Sequence, residues 1–118
     1  MINENITPNE VWNDGHTIHL YCNEQVGQYT AYGPSAYLLC KVTNVPPFFS
    51  EDAQMPAAII NTPLLEGLKQ QCQVVQSERS YCQLTTRSEV DDDDYADWVE
   101  QVREGKGIAA AVGGEHRM

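Results

Sequence analysis

The stretch 56–76 constrains the fold of this chain more than any other. It reads Pro56-Ala57-Ala58-Ile59-Ile60-Asn61-Thr62-Pro63-Leu64-Leu65-Glu66-Gly67-Leu68-Lys69 and continues Gln70-Gln71-Cys72-Gln73-Val74-Val75-Gln76. A short unbroken apolar run, Ala57 to Ile60, suits a buried strand. Thr62 as cap and Pro63 as first helical residue open a helix, because proline fixes φ where the backbone N–H has no intrahelical partner anyway. Leu64, Leu65 and Leu68 then recur at helical spacing and form one apolar stripe. Val74-Val75 begins a second strand. A strand, helix and strand in so few residues demand a layered α and β architecture. Nothing reactive projects from the stretch, so it reads as scaffold.

The rest of the chain supplies partners for it. Thr7-Pro8-Asn9-Glu10 has the form of a capping box, predicting a short helix to about Asn13 with Val11 and Trp12 as its apolar content. Ile18, Leu20 and Cys22 alternate with Thr17, His19 and Tyr21, which is the period of a strand. Gln28 to Tyr32 is rich in aromatic and β-branched residues and reads as its hairpin partner. Gly33-Pro34-Ser35 breaks the strand, and Ser35 is placed to cap a helix through Val42 with Ala36, Leu39 and Cys40 on one stripe. Residues 43–54 contain Pro46-Pro47 and read as a loop. Its Phe48 and Phe49 need cover, either from the core or from a partner. Tyr81 to Thr86 returns antiparallel to the Val74-Val75 strand after a turn at Ser77 to Ser80. Tyr95, Trp98, Val99 and Val102 fall at i, i+3, i+4 and i+7, one face of a final helix that Gly105 and Gly107 stop. The pattern predicts a single α+β domain over residues 1–107. Its mixed sheet has about five strands, with three or four helices mainly on one face. Residues 108–118 read as a flexible tail.

Charge narrows the function. Of the formal net charge of −10, residues 89–104 carry −7, from eight carboxylates against Arg103 alone. Such a balance disfavours phosphate backbones, which reward lysine and arginine. Asp91, Asp92, Asp93 and Asp94 stand at the amino end of the final helix, where unpaired N–H groups and the dipole favour anions by about 0.3–1 kcal/mol per well-placed charge. One or two aspartates suffice for that. The excess points to solvation or to docking of a basic partner. Calcium would need a spaced Asp-x-Asp-x-Asp-Gly loop, which is absent.

Catalytic and metal chemistry find little support. His16, His19 and Cys22 are spaced like ligands, but on a strand His19 points away from the other two. Cys72 and Cys82 are too far apart for a paired-cysteine zinc motif. The four cysteines are expected as free thiols in a reducing cytoplasm, because Met1 to Asn5 is polar and acidic where a secretory leader is basic and then apolar. No apolar run approaches the roughly 20 residues of a membrane span. There is no Gly-x-Ser-x-Gly elbow, and Gly105-Lys106-Gly107 lacks the pattern of a phosphate loop.

Gly27-Gln28-Tyr29-Thr30-Ala31-Tyr32-Gly33-Pro34-Ser35-Ala36 resembles the mismatch-sensing N-terminal domain of the MutS mismatch-repair family, where a Gly-Asp-Phe-Tyr-Glu strand runs into a helix. Residues 27–86 follow that domain's order of strand, helix, strand, helix and valine-rich strand. The resemblance implies a mixed α/β scaffold. The family's mismatch-reading Phe-x-Glu falls on Tyr29-x-Ala31, so the glutamate is missing.

These observations predict a small, acidic, non-enzymatic protein-binding domain with no cofactor and no metal site, monomeric or weakly dimeric. Its expected partner-binding residues are Asp91, Asp92, Asp93, Asp94, Asp97, Phe48 and Phe49, facing a protein with a basic surface. A phage or mobile-element inhibitor, or an accessory protein, fits that description. The alternative is a nucleic-acid-associated module that assembles a basic patch from Lys41, Lys69, Arg79 and Arg87. A thiol or metal site is the third reading.

Overall fold

The structure, a computed structural model, describes residues 6–23, 26–78 and 80–105. In chain order these form α1 (Ile6–Val11), β1 (Thr17–Asn23), β2 (Gln28–Tyr32), α2 (Gly33–Thr43), β3 (Phe48–Ser50), β4 (Met55–Asn61), α3 (Thr62–Gln71), β5 (Gln73–Ser77), β6 (Tyr81–Thr85) and α4 (Asp92–Arg103). The α+β class stands as expected. The sheet has six strands rather than about five, in the order β3-β4-β2-β1-β6-β5. It is not mixed, because every ladder is antiparallel. The sixth strand is β3, inside the segment read as a loop. Pro46 and Pro47 precede it, and its three residues pair with the start of β4, as Phe48 does with Ala57. Proline at the threshold of an edge strand removes no ladder bond, so the pair delays the strand without preventing it.

Alternation sorts the side chains into two faces. On one face Ile18 lies opposite Leu84, Leu20 opposite Cys82, and Ala31 opposite Ala58. These residues are fully or almost fully buried, together with Ala36, Leu38 and Leu39 of α2 and Leu65 and Leu68 of α3. Removing water from each large side chain contributes about 1.5–3 kcal/mol. Trimming one to alanine costs about 2–5 kcal/mol, because the cavity does not collapse fully. α4 joins this layer as its spacing predicts. Val102 is buried, Trp98 packs on the cluster, and Tyr37 of α2 meets Tyr95 and Trp98 edge-on at 5.7 and 5.4 Å between ring centroids. Among the described residues no helix is long and apolar enough to cross a membrane.

Three helix starts differ from expectation. α3 is capped by Asn61, whose side chain accepts from the Leu64 N–H at 3.1 Å, and Thr62 is already helical. Asparagine is as good a cap as threonine, and the strand end at Asn61 holds it in the required extended conformation. α1 is shorter than predicted, ending at Val11. Its Glu10 turns towards α2. α2 starts at Gly33 rather than after Ser35. Gly33 has φ +54°, and a Cβ there would stand 3.1 Å from Met55 Sδ and 3.4 Å from the Tyr95 hydroxyl. The left-handed φ favours glycine, which turns β2 into α2, and a side chain there would press on Met55 and Tyr95 where β4 and α4 close over the joint. Gly107 and the tail predicted at 108–118 lie outside the described residues.

Candidate protein-docking site

The amino end of α2 has a cap supplied from elsewhere in the chain. Tyr32 occupies the N-cap position and offers no side-chain bond. Glu10 of α1 takes that role: its carboxylate accepts from the Ser35 backbone N–H at 3.0 Å and from the Ser35 hydroxyl at 2.7 and 2.9 Å. Ser35 Oγ in turn accepts from the His19 N–H at 2.9 Å, beyond the last paired residues of the β1–β2 ladder, Tyr21 and Thr30. Asn13 Nδ2 donates to Glu10 and to the Thr17 carbonyl. One buried serine and one buried carboxylate thus tie α1, α2 and β1 together. Burial pushes the Glu10 carboxyl up to about 7, against the opposing pull of its bonds to Ser35 and Asn13. A raised carboxyl beside a groove has the properties of a general acid or base. Here its oxygens are taken up by Ser35 and Asn13, so its work is structural.

That tie fixes where α1 ends. Val11 is 67% exposed and Trp12 is 84% exposed. Asn13 Oδ1 accepts from the Gly15 N–H, and Asp14 Oδ1 accepts from the His16 N–H and the Thr17 hydroxyl. The bond from His16, first among several causes, holds the Asp14 carboxyl below its usual range. The turn is pinned on both sides, and Trp12 is held out from it. A depression beside it is lined by Val11, Asp14, Val90, Asp92 and Tyr95, bringing the end of α1 to the start of α4.

At that start the aspartates divide in role. Asp91 is the N-cap: its Oδ1 accepts from the N–H groups of Asp93 at 3.0 Å and Asp94 at 3.1 Å. Asp92, Asp93, Asp94 and Asp97 are exposed. Lys41 reaches the same edge, donating to the Glu89 carbonyl at 3.2 Å and standing 5.2 Å above the Tyr37 ring. It shares a shallow depression with Glu89, Asp91, Asp92 and Asp94, a single cation among four carboxylates.

The predicted partner-binding residues are not brought together. Phe48 and Phe49 alternate on β3 and point to opposite faces, Phe48 exposed and Phe49 half-buried. Phe49 packs under the Arg103 guanidinium at 5.4 Å, at the carboxyl end of α4, whereas Asp91 to Asp94 form its amino end. The twelve residues of α4 rise by about 18 Å. The two halves of the predicted site therefore sit at opposite ends of one helix. What stands beside Asp92 is the end of α1, where Val11 lines the shared depression and the next residue, Trp12, is exposed; the sequence pattern placed both as the apolar content of that helix. The available signal was the length of that helix: Val11 and Trp12 are adjacent, and one and a half turns cannot turn both to a core.

The other candidates for chemistry separate in space. His16 Nδ1 lies 3.0 Å from the Ser88 carbonyl, and His19 Nδ1 lies 2.5 Å from the Tyr81 hydroxyl on the sheet face away from Cys22. Burial pushes His19 down and the Cys40 thiol up to about 12, and raises Cys72 and Cys82. All four thiols are free. Cys82 lies opposite Ser77, whereas Cys72 precedes the other end of β5, so the two do not meet across the hairpin. Among the described residues no three His, Cys, Asp or Glu side chains converge as a metal site. No protein-family model matches the sequence, and no curated protein or solved structure is similar enough to count as a match.

Proposed function

We propose that this chain is a binding protein whose α1–α4 corner docks on a basic surface of another protein. The observation that carries this reading is an exposed Trp12 on the turn whose neighbours Val11 and Asp14 share a depression with Asp92 of α4. Tryptophan is the side chain most enriched among residues that dominate binding energy, and it does so when the partner dries it. Asp92, Asp93, Asp94 and Asp97 are exposed on α4 and give that element a negative field, which speeds encounter with a cationic partner and makes the rate sensitive to salt. Capture from a lysate of the native host tests this, with Trp12→Ala and the triple variant Asp92→Asn, Asp93→Asn, Asp94→Asn as comparisons. A partner retained by the native chain should be lost from both variants. Equal retention by all three would end the proposal.

The second reading is the nucleic-acid-associated module. What supports it is the order β2, α2, β4, α3, β5, β6 that the MutS-like pattern implies, although here β3 is inserted between α2 and β4. It needs a basic patch, and the cations expected to form one are engaged separately. Lys41 lies among carboxylates, Lys69 is 3.8 Å from Glu66, Arg87 sits beside Gln71 and Gln73, and Arg79 lies outside the described residues. Titration with single- and double-stranded DNA at low salt should give no binding. Saturable binding that weakens steeply with salt would reverse the order of the two readings.

A further inference from the structure

The two edges of the sheet are unequal. β3 has three residues, follows two prolines and is packed by α4. Short length, proline and a covering element are the means by which proteins block strand addition. β5 has none of these three, and its one edge irregularity is the bulge at Val75. Its five residues, Gln73–Ser77, are all exposed, contain no proline and no charge, and have β6 on one side with no strand on the other among the described residues. Val74 and Val75 are 40% and 52% exposed, and Val75 is the extra residue where the register with β6 shifts.

The charges flanking β5 indicate what it pairs with. Arg87 lies at the Gln73 end, sharing a depression with Gln71, Gln73 and Thr85. Glu78 follows Ser77 at the other end, and both side chains are exposed. Arg87 makes no ion pair among the described residues. When two copies of β5 run antiparallel about a twofold axis near Val75, the Gln73 end of each meets the Ser77 end of the other. Arg87 of each copy then faces Glu78 of its mate, twice over. The acidic helix α4 packs on β3 and β4, on the far side of the sheet, and stays out of the contact. We propose that this chain self-associates as a twofold dimer through antiparallel pairing of β5, making one continuous sheet across both copies. This proposal is independent of the docking function assigned to the α1–α4 corner.

Sedimentation equilibrium over a concentration series tests it. The native chain should approach twice the monomer mass as concentration rises into the hundreds of micromolar. Val75→Lys, which places a charge at the twofold, should weaken association at least about tenfold. Glu78→Arg alone sets Arg against Arg87 and should weaken it about three- to tenfold. Glu78→Arg combined with Arg87→Glu restores both pairs and should recover the native dissociation constant. Each variant should keep the native circular dichroism spectrum, since all three positions are exposed. A native chain that stays monomeric, association untouched by Val75→Lys, or a double variant no better than Glu78→Arg alone would each overturn the proposal.

Discussion

Glu10 and Trp12 stand two residues apart and do opposite things. Glu10 is buried at the joint of α1, α2 and β1, and its carboxyl titrates at about 7 in the folded chain against an ordinary value of 4.5. Below the ordinary value both folded and unfolded states hold the proton, and the buried neutral acid carries no penalty. As pH rises from about 4.5 to 7, the unfolded state releases the proton and the folded state does not, so stability falls. Above about 7 both are ionised and the loss is complete, on the order of 3 kcal/mol. Glu10→Gln stays neutral throughout. Its stability relative to the native chain should therefore rise between pH 5 and pH 8, as read by urea unfolding at both values. A difference that does not change with pH would show that the Glu10 proton is not linked to folding. Trp12 is the converse case. Trp12→Ala should change unfolding free energy by no more than about 0.5 kcal/mol, as exposed positions do, while weakening partner binding by at least about thirtyfold.

Elements were legible where pattern and burial agree. β1, β2 and α4 follow from alternation or helical spacing because each has one face in the core, and periodicity reports burial. The 56–76 stretch holds as strand, helix and strand, with its helix start moved by one residue to Asn61. β3 was not legible. An edge strand of three residues after two prolines has no period to detect, and its existence depends on β4 lying alongside. The cap of α2 was not legible either, because Glu10 and Ser35 are 25 residues apart and nothing local links them. The acidic run was legible as an N-terminus but not as to which aspartate does the capping. The geometry makes that testable. Asp91→Ala should cost about 0.5–2 kcal/mol in unfolding free energy by leaving the Asp93 and Asp94 N–H groups without their acceptor. Asparagine at 92, 93 and 94 together should leave thermal stability nearly unchanged, since lost dipole attraction is offset by relief of mutual repulsion. A larger loss in the triple variant than in Asp91→Ala would assign the run a structural role instead.

For the whole molecule, the division lies between a packed helical layer and the features it leaves exposed. The core face uses the long side chains of β1, β4, β6, α2 and α3, and α4 closes it with Trp98 and Val102. The net charge of −10 is legible in composition, but its partner is not, because charge states a preference of sign and omits shape. Shape enters only when the end of α1 and the start of α4 come to line one depression, bringing Val11 and Asp14, which flank the exposed Trp12 in the chain, to Asp92. Phe48 and Phe49 were legible as one exposed-or-covered pair but not as alternating on a strand, with Phe49 at the carboxyl end of α4 and the aspartates at its amino end. The α1–α4 corner was missed because the nearness of Val11 and Asp14 to Asp92 is a property of the fold. The most direct measurement is the fluorescence of Trp12 on titration with the captured partner, in a chain where Trp98→Phe removes the other tryptophan. The docking reading predicts a saturable blue shift of Trp12 emission, weakened by added salt and abolished in the Asp92–Asp94 asparagine variant. Emission that stays at its solvent-exposed maximum while the partner binds would place the interface elsewhere and contradict it.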